Sequence, residues 1–94
     1  MKLYYPTELS KVDLIIVDGL KEKVRLYANK TNAIHFATRV FGLYNSAIVE
    51  IDFDSMLRDD FKYTQEGQEY FLDIVPSIYM NKNYWKQSRV KYEE

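Results

Sequence analysis

Strict alternation of apolar and acidic side chains marks residues 49–54. The order is Val49, Glu50, Ile51, Asp52, Phe53 and Asp54. Because successive side chains of a β-strand point to opposite faces, this order places the apolar side chains on one face and the acidic ones on the other. The sequence therefore predicts a strand over residues 47–53 with one buried face and one face in water.

A strand and a helix are predicted at the amino-terminal end of the chain. Residues 3–5 are a β-favouring run, and Pro6 is expected to end this strand because proline has no amide hydrogen to donate to a ladder. Thr7 then caps a helix over residues 8–17, and Gly19 supplies the left-handed residue that commonly ends a helix. The first unit is predicted as strand, helix and glycine stop.

A second strand and a second helix are predicted before the alternating segment. Residues 24–27 alternate between apolar and polar, and the capping residues near Asn29 start a helix that Gly42 ends. One side of this helix is expected to be buried and carries Ala33, Ile34, Ala37, Val40 and Phe41. His35 and Arg39 are four residues apart on its other side and are expected to be exposed, with ligand contact as the less favoured interpretation.

Three short strands are predicted after the alternating segment, at residues 61–63, 70–72 and 78–80. The resulting order of elements, β-α-β-α-β-β-β-β, predicts an α+β fold with two short helices and a small antiparallel or mixed sheet. Residues 1–80 are expected to form a single domain, and residues 81–94 a carboxy-terminal tail.

Length and composition favour one cytoplasmic domain. A chain of 94 residues has no room for a second core, and its hydrophobic fraction of 47% can supply one. The chain contains no cysteine, which excludes a disulfide framework and a cysteine-based zinc site. No window approaches the roughly 20 apolar residues of a membrane span, so no membrane association is expected.

The carboxy-terminal tail is basic and aromatic. It contains Lys82, Trp85, Lys86, Arg89 and Lys91, whereas residues 50–73 are rich in Asp and Glu. Basic and aromatic side chains together can neutralise phosphates and stack on bases, so the tail is a candidate contact for nucleic acid or for a partner protein. Two alternatives stay open, namely pairing of the tail with the acidic segment and burial of Trp85 against the sheet.

The familiar catalytic motifs are missing from this sequence. A single His, the lack of Cys and the lack of a Gly-x-Ser-x-Gly elbow argue against a hydrolytic nucleophile, and the isolated glycines form no phosphate-binding loop. Glu50, Asp52 and Asp54 share a strand face and have the oxygen ligands that a hard cation prefers. Acidic side chains on the solvent-exposed face of a strand are usually only solvated, so no metal site is predicted.

Three pairs of segments carry a family resemblance: residues 3–7 with 18–20, residues 24–28 with 47–52, and residues 68–72 with 75–79. The first pair is similar to an opening strand and helix followed by a Gly-Leu pair. The second is similar to a strand, a helix and an aliphatic strand that ends in an acid. The third looks like a closing Glu-aromatic-aliphatic strand with its Val-Pro continuation. Together they resemble the ADP-ribosyltransferase-type fold of RNA 2'-phosphotransferases and DarT-like DNA-modifying toxins.

This resemblance implies a split sheet that holds NAD in a cleft, where the bond between nicotinamide and ribose is broken. Glu69 would be the catalytic residue, binding a ribose hydroxyl and stabilising the positive charge that develops. Tyr27 would form the aromatic floor for nicotinamide, and Tyr5 and Thr7 would complete the cofactor-binding set. The family usually has His where this chain has Tyr5, which keeps a hydroxyl donor but changes its reach and basicity.

Two functions from different classes follow. The resemblance implies a minimal ADP-ribosyltransferase-like protein that binds NAD or an ADP-ribose derivative and transfers it to a macromolecular acceptor or hydrolyses it. The alternative is a noncatalytic interaction protein, such as an inhibitor or a toxin–antitoxin partner, that docks on a protein or nucleic acid through its acidic face or its basic tail.

Overall fold

Six antiparallel strands form one sheet in the computed structural model, which describes residues 1–87. The strands are β1 (Lys2–Glu8), β2 (Val24–Tyr27), β3 (Ser46–Asp52), β4 (Thr64–Glu66), β5 (Glu69–Leu72) and β6 (Trp85–Lys86). They lie in the order β4-β5-β2-β1-β3-β6, and each ladder between neighbours is antiparallel. The predicted α+β class is confirmed.

Three helices accompany the sheet, one more than the sequence pattern predicts. They are α1 (Val12–Asp18), α2 (Lys30–Phe41) and α3 (Phe53–Arg58). The unpredicted helix, α3, follows β3 directly, because the Asp52 side chain accepts a hydrogen bond from the Ser55 amide and so caps the first turn. Phe53 is buried as expected, but as the first residue of a helix rather than the last residue of a strand.

The first strand continues through Pro6, so the prediction that it ends there is wrong. β1 pairs with β3 over its whole length, from Lys2 opposite Asp52 to Glu8 opposite Ser46. The ladder therefore continues on both sides of Pro6, and one missing amide donor does not end the strand. Thr7 lies within β1 instead of capping a helix, and a short 3₁₀ turn at Leu9–Lys11 leads into α1.

The predicted ends of α2 and the glycine predicted to end α1 rest on local capping, and the structure confirms them, whereas α1 begins at Val12 rather than at residue 8. Gly19 follows α1 with a φ of 77°, and Gly42 follows α2 with a φ of 93°. At the start of α2, the Asn29 side chain accepts hydrogen bonds from the amides of Thr31 and Asn32, at 2.8 and 3.2 Å. These caps satisfy backbone groups that a helix end leaves without an intrahelical partner.

The helices pack on opposite faces of the sheet. On one face, α1 and α3 enclose the main core, which includes Leu3, Val12, Ile16, Leu26, Val49, Ile51, Phe53, Met56 and Leu72. On the other face, α2 contributes Ala33 and Ala37 to a second cluster, whose sheet residues are Tyr27 and Ile48. The face of β3 that is predicted to be in water is therefore covered by α2 at Ile48. On α2 itself, Val40 is predicted to be buried but is 54% exposed.

The strands after α3 match the prediction only in part. Residues 70–72 lie in β5 as predicted, but residues 61–63 precede β4 rather than forming a strand. Ser77–Tyr79 is a 3₁₀ turn, and Met80 contributes only an isolated bridge to Ile51. Pro76 precedes this turn in an extended conformation, and the turn takes up most of the residues that were predicted as the last strand.

The sheet extends beyond residue 80, where the sequence pattern predicts that a tail begins. Trp85 and Lys86 form β6, and Trp85 lies opposite Ile48 on β3. Arg89 and Lys91 lie outside the described residues. Within residues 1–87, no helix combines the length and the apolar character needed to cross a membrane.

Candidate functional site

The sheet opens between its two central strands, β1 and β2. The register between them consists of one pair, Tyr4 with Tyr27, whereas the ladder between β1 and β3 runs the whole length of β1. The two strands diverge on either side of their single pair. A groove of about 650 Å³ lies along this gap, between α2 and the strands β2, β4 and β5.

The large groove, as we name this space, is mainly aromatic. Its rings come from Tyr5, Tyr27, Phe36, Phe41 and Phe71, and its polar side chains are Lys23, Arg25, Thr64 and Glu66. Aromatic walls with a few polar groups are typical of sites that bind small organic ligands, because the rings bury a flat ligand and the polar groups orient it. The groove is therefore suited to a ring-containing ligand.

Tyr27 and Glu69 lie side by side on one face of the sheet. They are register partners in the ladder between β2 and β5, and directly opposite residues of an antiparallel pair project from the same face. Tyr27 is 8% exposed and packs its ring 5.9 Å from that of Phe36 on α2. Glu69 is half-buried. A buried aromatic floor and an accessible carboxylate thus occur together.

Arg25 joins this pair from the same strand as Tyr27. Its Nη1 lies 3.8 Å from Oε1 of Glu69, and its guanidinium lies 5.4 Å from the ring centre of Phe71. A hydrogen bond with Tyr27 and, next in importance, the negative charge of Glu69 raise the pKa of Arg25. Arg25 therefore places a permanent positive charge beside the Glu69 carboxylate.

Tyr5 lies at the gap itself. It lines the large groove and also a second depression on the α1 side of the sheet, next to Leu14 and Gly19. Burial raises the pKa of the Tyr5 hydroxyl because desolvation disfavours the phenolate. At neutral pH, Tyr5 offers a hydroxyl that can donate a hydrogen bond, but it is no base of the kind that a His would provide.

Thr7 is not part of this arrangement. It is 4% exposed, lies opposite Ala47 in the ladder with β3, and lines neither the large groove nor the space around Glu69. Of the residues assigned to cofactor binding and catalysis from the sequence, Tyr27 and Glu69 are therefore neighbours on one face of the sheet, and Tyr5 shares only the large groove with Tyr27. Thr7 lines neither groove.

The candidate contacts of the carboxy-terminal segment lie at the other edge of the sheet. Lys82 and Lys86 are exposed, whereas Trp85 is half-buried and packs against the cluster that contains Ile48. β3 and β1 separate β6 from the strands that carry Tyr27 and Glu69. Burial of Trp85 against the sheet, one of the two alternatives that the sequence leaves open, is what the structure shows.

Three further residues lie near Glu69. Arg25 was not singled out from the sequence, and ligand contact was the less favoured interpretation for His35 and Arg39. Arg25, His35 and Arg39 line a second groove of about 340 Å³ together with Tyr27 and Glu69. Two signals were available in the sequence. Arg25 is two residues from Tyr27 in a predicted strand and so shares its face, and His35 and Arg39 are four apart on one side of a helix. As expected, both helical residues are exposed.

The three acids Glu50, Asp52 and Asp54 do not form a metal site. Asp52 accepts hydrogen bonds from Ser55, which hold it at the start of α3, and Asp54 lies in that helix. Across the residues that the structure describes, no group of three His, Cys, Asp or Glu side chains is arranged to hold a metal ion.

What the site can bind follows from its own side chains. Aromatic rings suit a flat heterocycle, the Glu69 carboxylate suits a hydroxyl donor, and the guanidinium groups suit an anion. A nucleotide carries all three kinds of group. No family model matches the chain, and a search of the curated proteins finds no match to its sequence.

Proposed function

We propose that the protein is a minimal ADP-ribosyltransferase-like enzyme that binds NAD or an ADP-ribose derivative in the large groove. The observation that carries the proposal is the position of Tyr27 directly opposite Glu69, on neighbouring strands beside an aromatic groove in a sheet that opens between β1 and β2. The same two residues are the aromatic floor and the glutamate that the family resemblance implies.

The residues of the site fit the chemical groups of NAD. When bound, NAD supplies an ADP-ribosyl group that is released by cleavage of the bond between nicotinamide and ribose. Tyr27, with Phe36 beside it, offers a ring on which nicotinamide can stack. Lys23 and Arg25 bring positive charge to the same groove, and this charge favours a ligand that carries phosphate groups.

Glu69 is the proposed catalytic residue. Its carboxylate accepts a hydrogen bond from a ribose hydroxyl, and its negative charge stabilises the positive charge that develops on the ribose as the nicotinamide bond lengthens. Arg25, 3.8 Å away, orients the carboxylate from the side of the sheet. Such a preoriented charge lowers the barrier because it needs no rearrangement during the reaction.

Tyr5 is proposed to hold the ligand from β1. Its hydroxyl stays protonated at neutral pH and can donate a hydrogen bond across the gap between β1 and β2. A His in this place would add a titratable base. The chemistry proposed here needs a donor at this position and leaves the charge stabilisation to Glu69.

The test is a calorimetric titration of the purified protein with NAD and with ADP-ribose. Both ligands are expected to bind, and Tyr27→Ala is expected to abolish binding because the stacking surface is lost. Tyr27→Phe is the matched control, since it keeps the ring and removes only the hydroxyl. Because Tyr27 is buried, thermal unfolding of both variants must show that they are folded. No binding of either ligand by the wild type at millimolar concentration would refute the proposal.

A second candidate function is a noncatalytic protein that docks on nucleic acid through the β6 edge. The observation in its favour is that Lys82 and Lys86 are exposed beside Trp85, at the edge of the sheet. Charge reversal at Lys86, Arg89 and Lys91 is then expected to abolish binding of a single-stranded oligonucleotide, measured by fluorescence anisotropy. If the protein docks on nucleic acid, Glu69→Gln leaves oligonucleotide binding unchanged. If it is an enzyme, Glu69→Gln lowers its activity and the charge reversal does not.

A further inference from the structure

The second groove, on the α2 side of Glu69, is lined by basic and amide side chains. From α2 it receives Asn32, His35 and Arg39, and from β2 and the start of β5 it receives Arg25, Gln68 and Glu69. Residues 32, 35 and 39 project from one side of a helix, because steps of three and four residues return to the same face. We call this space of about 340 Å³ the basic groove.

Positive charge exceeds negative charge in the basic groove. Its two guanidinium groups, Arg25 and Arg39, face one carboxylate, that of Glu69. Arg25 shares its charge with Glu69 at 3.8 Å. For Arg39, no carboxylate partner occurs among residues 1–87, and its guanidinium instead lies 5.9 Å from the ring centre of Phe36. An uncompensated guanidinium therefore remains next to the proposed catalytic glutamate.

Each of the two arginines lies over an aromatic ring. Arg25 lies over Phe71 and Arg39 over Phe36, at 5.4 and 5.9 Å from the ring centres. A guanidinium that stacks on a ring uses its flat face, and its N–H groups point outward in the plane of the group. These N–H groups match the oxygens of a phosphate, to which arginine commonly donates two parallel hydrogen bonds.

The basic groove adjoins the large groove. Arg25, Tyr27 and Phe36 line both spaces. One ligand can therefore occupy both, with an anionic part among the arginines and an aromatic ring against Tyr27. Arginine and amide side chains are concentrated in the basic groove and aromatic rings in the large groove. This distribution resembles that of phosphate and base in a nucleotide.

We propose that the basic groove binds the diphosphate of the nucleotide ligand, with Arg39 and Arg25 as its principal donors and His35 and Asn32 beside them. For the identity of that nucleotide, NAD or ADP-ribose, the inference rests on the proposed function. Arg39 is a binding residue in this assignment, and α2 becomes the element that selects phosphorylated ligands over their nucleoside counterparts.

The test compares phosphorylated ligands with matched ligands that lack phosphate. Affinities of nicotinamide mononucleotide and nicotinamide riboside, and of ADP and adenosine, are measured by calorimetry at one ionic strength. The wild type is expected to prefer the phosphorylated member of each pair by roughly tenfold or more. Arg39→Gln is expected to remove most of this preference, with little effect on the affinity of the nucleosides.

Lys30→Gln is the matched control for the loss of positive charge. Lys30 is the first residue of the same helix, is exposed, and lines neither groove. It is expected to keep the preference for phosphorylated ligands. If Lys30→Gln and Arg39→Gln reduce that preference equally, general electrostatic attraction explains it and the assignment to the basic groove fails. Equal affinities of the wild type for ADP and adenosine would also overturn it.

The outcomes separate this inference from the proposed function. ADP binding that depends on Arg39, without any binding of NAD or ADP-ribose, would support the diphosphate site and refute the proposed function. NAD binding that Tyr27→Ala abolishes and Arg39→Gln leaves unchanged would support the proposed function and refute the diphosphate site.

Discussion

Tyr27 on β2 and Glu69 on β5 face each other directly in the antiparallel ladder, at the place where the large groove and the basic groove meet. Arg25 lies close to both, because it is two residues from Tyr27 on β2 and its Nη1 is 3.8 Å from Oε1 of Glu69. An aromatic ring, a carboxylate and a guanidinium are thus held on one face of the sheet. The first prediction concerns the carboxylate.

Glu69→Gln is expected to lower the rate of nicotinamide release from NAD by about a hundredfold or more, because removal of one oriented electrostatic group from an active site typically has an effect of that size. The affinity for NAD should change much less. Release is followed by chromatographic separation of nicotinamide, and binding by calorimetry.

Asp73→Asn is the control for Glu69→Gln. Asp73 follows β5 directly, is exposed and lines neither groove. It also loses one negative charge, so it tests whether net charge alone accounts for the effect. Retained nicotinamide release in Glu69→Gln would show that Glu69 has no catalytic role.

Gly19→Ala is expected to destabilise the protein by about 2 kcal/mol or more. Gly19 has a φ of 77°, and an added Cβ would lie 2.7 Å from the carbonyl oxygen of Val75. Gly67→Ala is the comparison, because Gly67 has a φ of 59° but no neighbour within 4 Å of an added Cβ. Gly67→Ala should lower the free energy of unfolding by only about 1 kcal/mol. Urea unfolding measures both, and equal losses would mean that the close contact at Val75 is unimportant.

Asp52→Asn is expected to weaken the dependence of stability on pH in acid. Hydrogen bonds from the Ser55 side chain and, secondly, from its amide lower the pKa of the Asp52 carboxyl. Because the folded pKa lies below the unfolded one, this stabilisation is present above the usual pKa of Asp, about 4, and is lost as the pH falls through the folded pKa. Asn can still cap α3 but does not titrate.

The measurement for Asp52 is the midpoint of thermal unfolding from pH 7 down to about pH 2.5, below the usual pKa of Asp. The wild type should lose stability more steeply below about pH 4 than Asp52→Asn. Asp73→Asn, on an exposed residue outside any helix, should follow the wild type. Superimposable curves for the wild type and Asp52→Asn would argue against a titrating cap.

Trp85→Ala is expected to destabilise the protein by about 2 kcal/mol, because Trp85 is half-buried opposite Ile48 and packs on the second cluster. Lys86→Ala, in the same strand but exposed, should have little effect. Trp85 is the only tryptophan of the chain, so the variant must be followed by circular dichroism instead of fluorescence. An unchanged free energy of unfolding would mean that β6 contributes nothing to the fold.

Local signals account for the elements that the sequence predicts well. Asn29 and Gly42 mark the ends of α2 because capping depends on a few adjacent backbone and side-chain groups. The segment that becomes β3 is recognisable because its alternation has the period of a strand. The prediction that β1 ends at Pro6 is wrong because it considers only the local effect of proline, which weakens a strand. Pairing with β3 on both sides of Pro6 maintains the strand.

β6 and α3, which the sequence pattern did not predict, are both short. β6 has only two residues, Trp85 and Lys86, and exists through its ladder with β3. α3 interrupts the alternating pattern because Asp52 caps a turn there. Neither leaves a periodic signal long enough to be read from the chain alone.

The sequence by itself determined the α+β class, the caps of α2 and the glycine that ends α1, because composition, period and capping are local properties. The family resemblance supplied Tyr5, Tyr27 and Glu69 as candidate residues. Only the tertiary structure decided that Tyr27 lies opposite Glu69, that Arg25 and Arg39 join them, and that Thr7 does not. The reason is physical: strand order, register and the divergence of β1 from β2 arise when all strands pair and both faces of the sheet are covered, and no short segment encodes them.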